Sequence, residues 1–146
     1  MTTAALRYLL DTDTVSYALR GDPVVASRVA RVPVDRLVLS RITLAELAVL
    51  VQARPSRART RSKLAGLRAQ HPFIDLDEAI WHRFAELKSL VVRHGRAPGL
   101  SGDFDVLQAA IALEHDLVVV TNNVRHFAVF SEFAGLRVEN WVAART

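Results

Sequence analysis

Apolar residues along this chain fall into short runs that stop abruptly at polar residues. Between the runs lie longer stretches in which apolar residues recur every three or four positions. Residues 6–10 form a run closed by Asp11, and residues 37–39, 73–76 and 117–120 repeat the pattern. The stretch 117–120 is the clearest, a block of apolar β-formers closed by Thr121. Short apolar runs bounded by polar residues predict buried strands. Residues 137–141 are a candidate last strand.

The intervening stretches predict helices. Residues 12–20 run to Gly21, and residues 24–32 follow Pro23, whose missing N–H is tolerated at a helix start. Residues 43–53 place Leu44, Leu47, Ala48 and Val51 on one face. Residues 56–70 form a basic helical stretch. Asp77 caps a long helix in which Ile80, Phe84, Leu87 and Val91 recur at helical spacing. Residues 104–115 form an apolar helix after a Gly- and Pro-containing loop at 95–102. Strands alternating with helices predict an α/β fold, with a four- or five-stranded parallel sheet covered on both faces in three α/β/α layers. No repeat or linker interrupts the chain, so residues 1–146 are expected to form one domain.

Composition narrows the function classes. At 146 residues, with 51% hydrophobic and 23% charged residues, the chain can bury a core and is not disordered in character. The absence of cysteine excludes disulfides, thiolate nucleophiles and cysteine-ligated metal, and fits a reducing compartment. No apolar run approaches the roughly 20 residues of a membrane span. The first residues do not read as a secretory signal, since Arg7 breaks the apolar stretch and Asp11 and Asp13 follow it. A cytoplasmic location is expected. The net charge of +4 favours a polyanionic partner, RNA or DNA before membrane. Of the 19 basic residues only Lys63 and Lys88 are lysines, a skew that a GC-rich genome also produces.

In a parallel sheet the carboxyl ends of the strands share one edge, and ligands bind there. Asp11 and Asp13 follow the first strand. Glu46 lies in the first turn of the helix after the second. Asp103 and Asp105 open the helix before the strand 117–120, and Asn122 and Asn123 follow that strand. Each has an ordinary alternative. Thr43 to Glu46 matches a capping box, and Asp11, Asp103 or Asp105 would serve as N-caps. Together they make a different case. Two like charges about 4 Å apart repel by roughly 4 kcal/mol at an effective dielectric of 20, so several carboxylates at one edge call for a cation. A sulfur-free oxygen cluster suits Mg²⁺, with Mn²⁺ as substitute, and in a basic chain points to phosphate chemistry.

Four segments carry a family resemblance. Tyr8-Leu9-Leu10-Asp11-Thr12-Asp13 resembles the opening of PIN-domain nucleases, VapC-type toxins in particular. Ile42-Thr43-Leu44-Ala45-Glu46-Leu47 resembles their second acidic motif, and Gly102-Asp103-Phe104-Asp105-Val106-Leu107-Gln108-Ala109-Ala110 the third. The strand 117–120 with Thr121-Asn122-Asn123-Val124-Arg125-His126-Phe127 resembles the fourth, and Gly135 to Trp141 is similar to the family's last strand. Each motif alone is weak, but four in order are specific.

The resemblance implies a PIN-like fold and a metal-dependent endoribonuclease that inhibits translation. Asp11, Glu46 and Asp105 would be the metal-binding acids, holding Mg²⁺ that activates a water for in-line attack on RNA. Asn123 falls on the fourth polar position. Asp13 stands where these toxins usually have Asn and is expected to support the site, and Asp103 is a possible second ligand. Thr12 and Thr121 are candidates for positioning a phosphate or a water, with helix capping the ordinary alternative. The resemblance also implies a cognate VapB-like antitoxin, a homodimer, a toxin–antitoxin hetero-oligomer, and contact with DNA only through the antitoxin.

Two alternatives stand beside it. The opening motif also fits haloacid-dehalogenase-like phosphatases, with Asp11 as nucleophile and Asp13 as general acid, but the expected late lysine and acidic pair are poorly matched by Lys88 and Asp103/Asp105. A non-catalytic antitoxin-binding regulatory module is the other. The remaining candidates are weaker. His126 is the histidine nearest the acids in sequence and reads as surface or structural. Ser101 lacks a nucleophile-elbow context. Trp81 and Trp141 read as packing residues. The cluster from Arg57 to Arg68 is equally an RNA or antitoxin contact and a solvated helix face.

Overall fold

The computed structural model describes residues 5–53, 58–94 and 102–142. The start of the expected basic helix, including Arg57, most of the loop expected at 95–102, and Ser101 lie outside the described residues. Five strands, β1 (Tyr8–Leu10), β2 (Leu37–Ser40), β3 (Phe73–Ile74), β4 (Val118–Val120) and β5 (Val138–Glu139), form one parallel sheet in the order β3-β2-β1-β4-β5. The helices are α1 (Thr12–Leu19), α2 (Pro23–Ala30), α3 (Arg41–Gln52), α4 (Ala58–Gln70), α5 (Glu78–Arg93), α6 (Asp103–Glu114) and α7 (Val124–Ala134).

Successive strand residues point to opposite faces, and the sheet uses both. Leu9, Val38 and Val119 join a core with Ile80 and Leu87 of α5, Ile111 of α6, and Phe127 and Phe130 of α7. Leu10, Leu37, Leu39 and Val120 join a second core with Val15 of α1, Leu47 of α3 and Trp141, against which Leu64 and Leu67 of α4 pack. These two cores make the three layers. Trp141 is 1% exposed and packs in the core, whereas Trp81 is 46% exposed and packs at the surface, edge-on against Phe84.

Several helix starts differ from expectation. Helix α3 begins at Arg41, because Ser40 is its N-cap and accepts from the Thr43 N–H. Glu46 therefore sits in the second turn, not the first, and makes no capping box with Thr43. Helix α6 begins at Asp103 with Gly102 in the N-cap position, so neither Asp103 nor Asp105 is the cap. Helix α7 was not anticipated by the strand–helix pattern. It ends at Gly135, whose φ of +72° is the left-handed geometry that glycine adopts without strain. Asp77 does cap α5, accepting from the Ile80 N–H. Among the described residues no helix is long and apolar enough to cross a membrane.

Candidate active site

The strand order runs outward from β1 through β2 to β3 and then resumes with β4 on the opposite side. The switch point of the sheet is thus the carboxyl edge between β1 and β4, where an open parallel sheet leaves a crevice. The residue that leaves β1 there is Asp11, and the residue that leaves β4 is Thr121. The Asp11 N–H donates to the Val120 carbonyl at 2.9 Å, which ties the two strand ends together.

All the buried polar residues among the described ones are Asp11, Thr14, Ser40, Thr43, Gln108 and Thr121. They gather at this edge and are bonded to one another or to the strand ends. Asp11 is the N-cap of α1, taking the Thr12 N–H at 2.9 Å, so its capping role is real. That role uses only part of the carboxylate. Its Oδ2 accepts the Thr121 hydroxyl at 3.0 Å, and its Oδ1 accepts Gln108 Nε2 at 3.3 Å.

The second acid arrives from α3. Glu46 Oε1 accepts the Thr12 hydroxyl at 2.7 Å, so Thr12 bridges the first two acids rather than capping a helix. The third arrives from α6. Asp105 Oδ2 accepts the Gly102 N–H at 3.3 Å and lies 3.1 Å from His126 Nδ1. His126 was expected at the surface or in a structural role; α7, packed through Phe127, brings it onto the third acid instead. Asp13 accepts the N–H groups of Thr14 and Asn122 and faces the Thr121 hydroxyl at 3.5 Å.

Two candidates lie elsewhere or contribute differently. Asp103 pairs with Lys88 of α5 at 2.7 Å and is largely solvent-exposed, two residues and a large helical rotation from Asp105. Lys88 thus reaches an acid through the fold, though not one of the three at the crevice. Asn123 sits in the N-cap position of α7 with no side-chain capping bond, and its backbone N–H donates to the Thr121 hydroxyl. Gln108 was not singled out from the sequence. A polar residue inside a helix's apolar face was the available signal.

The electrostatics show that the acids share one space. Burial pushes the Glu46 carboxyl up, and the charges of Asp11, Asp105 and Asp13 push it further against the opposing Thr12 hydrogen bond. Burial and the Asp11 charge raise Asp105, against the His126 contact, and raise Asp13. Among the described residues no arginine or lysine pairs with Asp11, Asp13, Glu46 or Asp105. The acids' donors are all oxygen, and their mutual repulsion is offset only in part, by His126 at Asp105 and by the hydrogen bonds to each acid, which fits a hard divalent cation by chemistry. They are not drawn tightly around one point: no three such groups among the described residues form a ready-made ion cage.

A carboxylate whose native pKa is raised binds more protons folded than unfolded, so it weakens the fold progressively as the pH rises above its unfolded pKa, and fully once the pH exceeds the raised value. Glu46→Gln keeps an acceptor for Thr12 and removes the charge. In EDTA at pH 7 it is expected to raise the melting temperature by a few degrees, on the order of 1 kcal/mol for one removed like-charge contact near the surface. The gain should shrink as the pH falls through the native pKa of Glu46 toward its unfolded value. A lower melting temperature at pH 7 would show that the Thr12–Glu46 contact outweighs the repulsion.

Comparison with known proteins agrees with this architecture. The family model described as the PIN domain matches residues 8–134. The chain is 26% identical over 136 residues to the tRNA(fMet)-specific endonuclease VapC of Shigella flexneri, covering 93% of this chain and 98% of that protein. Among solved structures it resembles that of VapBC-1 from nontypeable Haemophilus influenzae, with a TM-score of 0.78, 27% identity, and 94% and 99% of the two chains covered. The DNA-bound VapBC of Salmonella typhimurium aligns equally well, with a TM-score of 0.78, 26% identity, and 94% and 99% covered. A sheet of this order, acids at its switch point and a match spanning most of the chain lead to one assignment: the chain belongs to the PIN-domain family.

Proposed function

We propose that the chain is the RNA-cleaving toxin of a toxin–antitoxin pair and that it hydrolyses phosphodiester bonds with a divalent ion, Mg²⁺ or Mn²⁺, held by Asp11, Glu46 and Asp105. The observation that carries the proposal is the arrival of these three acids, from β1, α3 and α6, at one switch point where, among the described residues, no arginine or lysine pairs with them and only His126 meets Asp105. The relatives named as VapC nuclease and the VapBC complexes support the toxin and its VapB-like antitoxin partner. The match from residue 8 to residue 134 supports a single catalytic domain.

When bound, such an ion supplies Lewis acidity to a water and to the phosphate oxygens. The chain's own residues do the holding. Thr121 and Gln108 fix the Asp11 carboxylate, Thr12 fixes Glu46, and the Gly102 N–H with His126 fixes Asp105. Asp13 adds negative charge at the edge of the set. The phosphatase alternative loses its footing here. Lys88 is engaged with Asp103, and Lys63 donates to the Leu19 carbonyl, so neither is placed to serve Asp11.

The test is cleavage of total RNA by the purified chain with and without Mg²⁺ or Mn²⁺. Activity should vanish in EDTA and return with added metal. Asp105→Asn should lose activity by at least about a hundredfold, as removal of a single charge-stabilising group commonly does, while Asp103→Asn stays within about twofold of wild type. Full activity in EDTA, or the reverse ranking of the two variants, would reject the assignment of the site.

A further inference from the structure

Gln108 lies on α6 one helical turn after Asp105, on the same face, and is 1% exposed. Its Nε2 reaches two acceptors, Thr43 Oγ1 at 2.9 Å and Asp11 Oδ1 at 3.3 Å. Among the described residues its buried Oε1 has no hydrogen-bond partner. The orientation of the amide is dictated, because turning the carbonyl inward would set it against the Asp11 carboxylate and leave the NH₂ group stranded. A buried carbonyl without a partner weakens the fold, and an aliphatic side chain at this position would carry no such defect. The amide is therefore explained by its donors rather than by packing.

Those donors feed a continuous chain. The Thr43 and Thr12 hydroxyls are 3.3 Å apart, and Thr12 is 2.7 Å from Glu46. Each hydroxyl has one hydrogen. With Thr12 donating to the charged Glu46, Thr43 must donate to Thr12, and Thr43 is then free to accept from Gln108. The donation runs in one direction, from the Gln108 amide through Thr43 and Thr12 to Glu46, while the other Gln108 hydrogen goes to Asp11.

We propose that Gln108 is a positioning residue that locks Asp11 and Glu46 into one hydrogen-bonded frame, from the same helix that carries Asp105. The proposal rests on the functional reading above for its consequence, since the frame sets how the three acids are presented to a divalent ion. Gln108 itself does not touch the reacting atoms. It ties α6 to the carboxyl end of β1 and to the first turn of α3, which Thr12 already links to each other through Glu46 and Thr43.

The experiment measures Mn²⁺ binding to the full chain by electron paramagnetic resonance, without RNA, for wild type, Gln108→Leu and Ile111→Ala. Ile111 is on the same helix, 0% exposed, and reports the effect of disturbing the core alone. Gln108→Leu is expected to fold at least as stably as wild type and to bind Mn²⁺ at least about tenfold more weakly, as loss of a residue orienting a metal ligand commonly does. Ile111→Ala is expected to lose stability and retain affinity. Unchanged affinity in Gln108→Leu, or an equal loss in Ile111→Ala, overturns the proposal. A second measurement stands apart from metal. In EDTA, the unfolding constants of Gln108→Leu, Glu46→Gln and the double variant should depart from additivity by about threefold or more, because the two side chains are linked through Thr43 and Thr12. Additive values overturn the frame. If wild type binds no Mn²⁺, the metal reading of the site fails by itself, and this cycle still decides the role of Gln108.

Discussion

Asp11→Asn is expected to fold normally and to cleave RNA at least on the order of a thousandfold more slowly than wild type, an effect of the size seen when a single group stabilising transition-state charge is removed. The substitution keeps the size of the side chain and an acceptor for the Thr12 N–H, so the start of α1 survives. It removes the charge that pushes up Asp13, Glu46 and Asp105 alike. The folded protein should therefore be no less stable at neutral pH, and a loss of activity cannot be ascribed to unfolding. Thermal melts and initial rates on the same preparation separate the two. Retention of more than about a tenth of the wild-type rate would mean that the central carboxylate of the crevice has no chemical part, since a charged group aimed at a metal or phosphate contributes far more than that factor.

Asp11 was legible because a buried parallel strand writes its own end into the sequence. The apolar run stops where the chain reaches the solvent-facing edge, and the polar residue at the stop is the one delivered to the crevice. The same rule delivered Thr121 at the end of β4. Glu46 was legible as an acid following a strand, though its turn was misplaced, because Ser40 caps α3 earlier than Thr43 would. Asp103 and Asp105 were separable in the sequence only by helical direction. What settles the matter is Lys88, which takes Asp103 away from the crevice through a contact with α5 that no local pattern encodes.

The site members that sequence reading missed or misjudged share a feature: their partners are distant in the chain. Gln108 meets Asp11 across 97 positions and Thr43 across 65. Nothing in the periodicity of α6 distinguishes a glutamine that bonds across the core from one that would point to solvent. His126 reaches Asp105 only because α7 exists and is docked. That helix did leave a signal, with Val124, Phe127 and Phe130 three residues apart and Gly135 as a stop, but its valines and phenylalanines are also strand formers and weaken a local helix assignment.

Helix α7 is held by tertiary contacts, and this sets the second large effect. Phe127 is 0% exposed, meets Phe130 edge-on with ring centroids 6.5 Å apart, and belongs to the core beneath α5 and α6. Phe127→Ala should lower stability by about 3–5 kcal/mol, the range for truncating a buried aromatic, and the melting temperature by roughly 10 °C or more. Phe133→Ala, on the same helix but 42% exposed, should lose well under half of that. Chemical denaturation of the two variants side by side checks the ranking, and equal losses would mean that α7 is not anchored through Phe127. The functional outcome differs in kind from that of Asp11→Asn. Phe127 has no polar group to bond the acids and lies in the core, so its removal disturbs the site by loosening the helix that carries His126. Assayed well below its melting temperature, Phe127→Ala should recover to within about tenfold of wild type, a smaller deficit than loss of a charge at the reacting centre. Asp11→Asn should stay inactive at every temperature at which it is folded.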